Sequence, residues 1–222
     1  MDQHSQEWWD ARCGKVTASR IGDLMATTKK GWGAARGHYL DEKVAEIVTG
    51  KPRDRKKVAS LEHRLELEPD ARAAYEFYRD SEVALVGFVE HPVIPRCGAS
   101  PDGLVGLDGC VEIKCPDSET HINTWLGKVV DRNYVLQMQF GMACTGRQWW
   151  DFVSFDPNMP EELKLYVQRV ERDDVMIKAI EDAVIEFLAE VDEKVAQVTA
   201  LMRGSTPLAA ALEGSLESLR VH

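Results

Sequence analysis

Ser100-Pro101-Asp102-Gly103-Leu104-Val105-Gly106-Leu107-Asp108-Gly109-Cys110-Val111-Glu112-Ile113-Lys114-Cys115 is the stretch on which the fold turns. Residues 100–106 and 110–115 read as two strands, joined through Leu107-Asp108-Gly109, and Asp-Gly is a strong signal for a tight hairpin. Side chains alternate faces along a strand, so Glu112 and Lys114 point one way while Ile113 points into the opposite layer. A hairpin turning at Asp108-Gly109 carries Asp102 across to Glu112. Two carboxylates and the backbone carbonyl of Ile113 are hard oxygen donors of the kind Mg²⁺ takes. Lys114 beside them is placed to orient a metal-bound water, or to accept its proton if its surroundings lower the amine's pKa. That set suits phosphodiester hydrolysis. Singly, an Asp between Pro and Gly is a normal turn and Glu-x-Lys a common solvated face. The coincidence of all the pieces gives the stretch its meaning.

Outward from this hairpin, the chain upstream is mainly helical. Thr17 or Ser19 is suited to cap a helix over Arg20–Met25, and Thr27–Gly33 reads as a basic loop containing Trp32. Leu40, Val44, Ile47 and Val48 recur at helical spacing over His38–Val48. Residues 60–78 favour helix, with a kink or a junction of two helices expected at Glu68-Pro69, because proline removes a donor and crowds the preceding turn. From Val83 to Ile94 the composition is β-rich. Downstream, the pattern predicts a helix over Asn133–Cys144 and strands over Trp149–Phe155 and Leu163–Arg169. A long helix over Asp173–Met202 follows, with Val175, Ala179, Ile180, Ala183, Val184 and Phe187 on its inner stripe. The order implies an α/β fold, a central mixed β-sheet flanked by helices. Residues 1–222 are read as one domain, with 203–222 as a mobile tail.

Composition bounds the class. The 222 residues, 44% of them hydrophobic, suffice for an ordinary core, and 27 Lys+Arg against 37 Asp+Glu give a net charge of −10. That charge argues against a surface basic on all sides, though a local basic groove remains compatible with it. The five cysteines, Cys13, Cys97, Cys110, Cys115 and Cys144, contain no C-x-x-C pair and fit neither a zinc site nor a disulfide framework. No run has the length of a membrane span, and the first residues are too charged for a signal peptide. A cytoplasmic protein is expected.

The sequence resembles the lambda-exonuclease-type viral recombination nucleases, alkaline exonucleases of the PD-(D/E)xK superfamily with a restriction-endonuclease-like core. The resemblance runs from about Glu7 to about Val191. It is carried by Glu7-Trp8-Trp9 with Arg12 and Val16-Thr17-Ala18-Ser19, by Glu68-Pro69-Asp70-Ala71-Arg72, by Ser100-Pro101-Asp102-Gly103-Leu104, by Glu112-Ile113-Lys114-Cys115-Pro116, and by Tyr134 with Gln137 and Gln139. It implies a Mg²⁺-dependent 5′→3′ exonuclease, a phage or prophage protein of a bacterial host, that releases 5′-mononucleotides from one strand of linear double-stranded DNA. The 3′ single-stranded tails it leaves serve recombination by strand annealing. It further implies two Mg²⁺ ions per site, for which Mn²⁺ can substitute, a homotrimeric ring around the DNA, and a single-strand annealing recombinase as partner. Carried over, Asp102, Glu112 and the Ile113 carbonyl become metal ligands and Lys114 positions the attacking water. Glu68 and Gln137 join the catalytic centre, with Tyr134 as an accessory residue.

Other residues carry alternatives. Glu68 before a proline also suits a helix start. Arg12 and Ser19 offer a guanidinium fork and a hydroxyl at a helix N-terminus, suited to a phosphate but equally to an ion pair and an N-cap. The resemblance assigns them, with Ser100, to the terminal 5′-phosphate. It makes Leu61 a wedge separating the terminal base pairs, where the residue alone also reads as core. In each pair Trp8-Trp9 and Trp149-Trp150, one ring is expected in the core and one nearer the surface. Lys29, Lys30, Arg53, Arg55, Lys56 and Lys57 are the basic concentrations, read as DNA-backbone contacts or a solvated loop. A site-specific endonuclease of the same superfamily and a catalytically silent DNA-end-binding module are the competing functions.

Overall fold

The computed structural model describes residues 2–29, 31–52 and 59–204, and the side chains of residues 66–201 within the last span. Helix α1 (Gln6–Arg12) leads into β1 (Val16–Thr17), a 3₁₀ turn and the short α2 (Ile21–Leu24). The hairpin β2 (Thr27–Thr28) and β3 (Gly31–Trp32) comes next, followed by α3 (Ala34–Thr49) and α4 (Ala59–Arg79). Then follow β4 (Val83–Ala84), β5 (Val89–Glu90), β6 (Cys97–Ala99), β7 (Gly103–Val105), β8 (Gly109–Lys114), α5 (Ser118–Gly127), α6 (Arg132–Thr145), β9 (Trp149–Phe155), β10 (Leu165–Glu171) and α7 (Asp174–Gly204). Leu61 belongs to α4, but its side chain lies outside the described residues, as do Lys30, Arg53, Arg55, Lys56, Lys57 and residues 205–222.

The central sheet has five strands in the order β10-β9-β8-β7-β4, with β8 and β9 parallel and the other pairs antiparallel; a three-stranded sheet, β1-β6-β5, lies beside it. This is the expected mixed sheet flanked by helices. Alternation along β8 and β9 sorts their side chains into two layers. Val111, Ile113, Val153 and Phe155 pack with Ala71 and Tyr75 of α4, whereas Cys110, Trp150 and Phe152 pack with Met138 and Met142 of α6. Helix α6 lies close to the sheet at Gly141, where a Cβ would stand 2.3 Å from the Trp150 ring. One tryptophan of each pair is core, Trp8 and Trp150, and its neighbour is partly exposed.

Several expectations need correction. Thr27–Gly33 is a small hairpin rather than a loop, with Thr27 opposite Trp32. Neither Thr17 nor Ser19 caps α2: Arg20 holds the cap position, with no side-chain hydrogen bond, because Thr17 already belongs to β1 and Ser19 lies inside the 3₁₀ turn. Helix α4 is one element with the exposed Pro69 inside it, held by burial of Ala71 and Tyr75 against the sheet. Tertiary packing here outweighs the local cost of proline. The β7–β8 connection is Gly106-Leu107-Asp108, with Gly106 at φ +54°, and Gly109 is already a strand residue opposite Val105. Helix α5, unanticipated, starts at Asp117, whose carboxylate accepts the Thr120 N–H at 2.8 Å. In α7, Val175 and Ala179 are exposed, and Ile177, Leu188 and Val191 join the buried stripe. That helix extends to Gly204, past the expected boundary of the tail. Among the described residues, no helix is long and apolar enough to cross a membrane.

Candidate active site

The antiparallel register of β7 and β8 pairs Gly103 with Val111 and Leu104 with Cys110. Continued by one residue, it sets Asp102 opposite Glu112. β7 has ended there, so the edge of β8 from Glu112 onward is free to meet a side chain in place of a strand. Asp102 takes that role: its Oδ2 accepts the Ile113 N–H at 2.6 Å. In an extended strand the N–H and C=O of one residue face the same edge, so the Ile113 carbonyl is directed toward the Asp102 side as well.

On the α6 face, Glu112 is only 2% exposed, and its Oε1 accepts from Lys114 Nζ at 2.5 Å and from Gln137 Nε2 at 2.6 Å. Gln137 is aimed by α6, one turn after Tyr134, whose ring stacks on Phe152 with centroids 5.4 Å apart and lies 5.1 Å from the Lys114 ammonium. Glu112 Oε2 is buried and has no hydrogen-bond partner among the described residues. An orphaned carboxylate oxygen in the interior is costly unless something cationic completes it.

A cleft of about 280 Å³ brings Glu68, Asp102, Ile113, Lys114 and Tyr134 together with Gln3, His4 and Thr120. Glu68 reaches it from the middle of α4, so the helix-start alternative falls away. Burial, reinforced by the charge of Glu112, pushes the Asp102 carboxyl well above the usual carboxylate range. Burial likewise raises Glu68, against the opposing pull of Arg72 and Lys114. For Lys114, burial works to lower the pKa, but the charges of Glu112 and Asp102 outweigh it and hold the ammonium above its ordinary value. Beside these two carboxylates Lys114 is held as a cation.

No three His, Cys, Asp or Glu side chains converge as a metal cluster among the described residues. Fit for a divalent cation rests instead on the pair Asp102 and Glu112, the free Glu112 oxygen and the Ile113 carbonyl. Hard oxygen donors of this number leave room for the waters that Mg²⁺ retains.

Beside the cleft, Arg12 NH1 donates to Ser100 Oγ at 2.9 Å and Trp8 Nε1 donates to the same oxygen at 3.0 Å, while the Arg12 guanidinium lies 4.0 Å from the Trp8 ring. Two donors on Oγ leave the Ser100 hydroxyl proton to point elsewhere. Ser19 is exposed, with its hydroxyl 3.4 Å from that of Thr17, which lines a small hollow with Arg12. The fold thus joins Arg12 to Ser100 directly, while Ser19 neighbours Thr17 at the hollow that Arg12 also lines. Gln3 and His4 were not anticipated; two polar residues ahead of a helix have no periodicity to mark them.

A mixed sheet that ends in paired carboxylates and a lysine defines a nuclease of the PD-(D/E)xK fold. The chain belongs to the YqaJ-like viral recombinase domain family, whose model matches residues 7–148. It shares its fold with the alkaline exonuclease LHK-Exo from Laribacter hongkongensis, at 43% identity and a TM-score of 0.84, over 90% of this chain and 99% of that one. LHK-Exo in complex with dAMP matches equally, with a TM-score of 0.84. A phage related exonuclease from Haemophilus somnus 129PT, 16% identical with a TM-score of 0.68 over 83% of this chain and 96% of that one, shows the same fold. The putative uncharacterized protein ExoD of Escherichia coli (strain K12) is 32% identical over 65 residues, 29% of this chain and 74% of that protein.

Proposed function

We propose that the chain is a Mg²⁺-dependent 5′→3′ exonuclease that digests one strand of linear double-stranded DNA and leaves 3′ tails for recombination by strand annealing. The observation that carries this reading is Glu112, buried, held on one oxygen by Lys114 and Gln137 and left with its other oxygen open. Membership of the viral recombinase family and the likeness to an alkaline exonuclease point the same way. Asp102, Glu112 and the Ile113 carbonyl would hold two Mg²⁺, with Mn²⁺ an acceptable substitute. Bound there, the metal supplies an acidified water and neutralises charge developing on the phosphate.

The protein's own groups do the remainder. Lys114 orients the attacking water and adds a fixed positive charge; Gln137 locks the Glu112 rotamer; Glu68 contributes a further carboxylate from α4. Arg12 and Ser100, with Ser19 nearby, receive the terminal 5′-phosphate through charge-assisted hydrogen bonds and so set the direction of digestion. Leu61 is assigned to separating the terminal base pairs. A homotrimeric ring would retain the duplex without tight phosphate contacts on every face, which reconciles DNA binding with the net charge of −10. A single-strand annealing recombinase is the partner that consumes the 3′ tail.

The test uses linear duplexes labelled at the 5′ or the 3′ end and a covalently closed circle, with Mg²⁺ or EDTA. Early release of the 5′ label as a mononucleotide, an intact circle, and loss of activity in EDTA and in Lys114→Ala are expected. Cutting of the circle would make the protein an endonuclease, and binding without cleavage would make it a silent end-binding module.

A further inference from the structure

The segment Asp2–Ser5, ahead of α1, lies across the mouth of the catalytic cleft. Gln3 Nε2 donates to the Val86 carbonyl at 3.0 Å and to the Pro101 carbonyl at 2.7 Å, so one amide ties the loop after β4 to the residue preceding Asp102. Ser5 anchors the other end: its hydroxyl donates to the Asp2 carbonyl at 2.7 Å and accepts the Trp8 N–H at 3.2 Å. Between the anchors, His4 is held at φ +67°, a left-handed conformation that glycine adopts freely and a residue with a Cβ adopts at a cost. Strain kept at the mouth of a site suggests that the side chain is used there.

The exposed His4 ring extends an aromatic cluster, with its centroid 5.0 Å from that of Trp8 and 6.2 Å from that of Trp9. It borders two adjoining hollows. Both are lined by Glu68 and Asp102; one adds Lys114 and Tyr134, and the other, of about 300 Å³, adds Asp2, Pro69, Arg72, Leu85 and Val86. The second hollow offers an aromatic ring, an apolar wall in which Leu85 is 67% exposed, and one guanidinium beside the carboxylates of Asp2, Glu68 and Asp102. A nucleobase has the matching chemistry, a flat apolar face with a polar edge, and stacking on an aromatic ring tolerates every base.

We propose that His4 is a contact residue for the base of the terminal nucleotide, the one released when the phosphodiester on its 3′ side is cut at Asp102 and Glu112. The nucleoside 5′-monophosphate released occupies the hollow beside Arg72 and Leu85, its base stacked on the His4 ring. This deepens the exonuclease reading and rests on it.

Trp8 and Trp9 provide a fluorescence readout. The intact protein, His4→Gly and His4→Phe are titrated with dAMP and with 2-deoxyribose 5-phosphate, and their melting temperatures are recorded. His4→Gly should bind dAMP roughly tenfold more weakly and His4→Phe within about twofold of the parent. All three should bind the base-free sugar phosphate alike, and His4→Gly should melt no lower than the parent because glycine relieves the φ. Equal dAMP affinity in the parent and His4→Gly would overturn the proposal, as would an equal loss for both ligands. If the parent digests DNA yet binds dAMP no better than the sugar phosphate, the His4 assignment alone fails; if it digests no DNA, the underlying function fails.

Discussion

Two buried carboxylates on neighbouring strands make opposite use of burial. Asp151 on β9 has no exposed surface and both its oxygens are met: it accepts from Tyr75 Oη at 2.9 Å and from Arg169 Nε and NH2 at 2.9 and 3.1 Å, and it forms an ion pair with Arg79 NH2 at 2.9 Å. Arg169 is in turn stacked 3.5 Å from the Trp149 ring. Glu112 on β8, paired with the residue after Asp151, is 2% exposed and keeps one oxygen unmatched. The first cluster meets both carboxylate oxygens and fastens α4 to the sheet, although Arg79 Nε has no acceptor among the described residues. The second is left open at the end of β7, where backbone pairing stops and a cleft begins. Similar burial therefore yields an internal clamp in one place and a site poised for a ligand in the other, and what separates them is whether every lone pair already has a donor.

That contrast can be broken from either side. Glu112→Gln retains the shape and a hydrogen-bond acceptor but removes the charge, and digestion of linear duplex should fall by about 1,000-fold with the fold intact by circular dichroism. Near-normal rates would remove Glu112 from the chemistry. Asp151→Asn should do the reverse: a loss of about 3 kcal/mol in denaturant unfolding, with activity per folded molecule retained, since two arginines lose a shared partner that does not line the cleft. Arg12→Ala touches neither cluster; it should cost roughly tenfold on 5′-phosphorylated ends and little on hydroxyl ends, erasing the preference. Equal rates of mutant and parent on both ends would remove Arg12 from end recognition.

The smallest effect concerns Asp102. Its folded pKa lies above the unfolded value, so the neutral carboxyl contributes stability that is complete below the unfolded pKa and is lost as pH rises through the folded one. Asp102→Asn keeps the neutral form at every pH and can still accept the Ile113 N–H. In EDTA at neutral pH it should exceed the parent by about 1 kcal/mol, or roughly 2–4 °C in melting temperature, while being inactive. A melting difference that does not shrink toward acid pH would show that the carboxyl charge is not the cause.

Local pattern was a good guide wherever one residue's environment follows from its neighbours in sequence. Strand β9 runs over Trp149–Phe155 as expected, its composition rich in aromatic residues, and α6 and α7 form where helices were expected. It misled where packing overrules propensity. Pro69 sits inside α4 because the following turns are buried against the sheet, and Val175 and Ala179 are exposed because, among the described residues, no element covers the first turns of α7 on that side.

For the site, the sequence by itself determined that Glu112 and Lys114 share a face and that a hairpin brings Asp102 toward them, since both follow from strand periodicity and one turn. The resemblance already named Glu68 and Gln137, but only the tertiary structure shows how helices on opposite sides of the sheet deliver them, Glu68 into the cleft and Gln137 onto Glu112, and that Gln3 and His4 border it. It adds to the grouping of Arg12 with Ser100 the direct hydrogen bond that ties Arg12 to the loop bearing Asp102. Those relations span from 25 to nearly 100 residues along the chain. No local rule fixes the distance between elements so far apart; it is set by how the helices pack on the sheet.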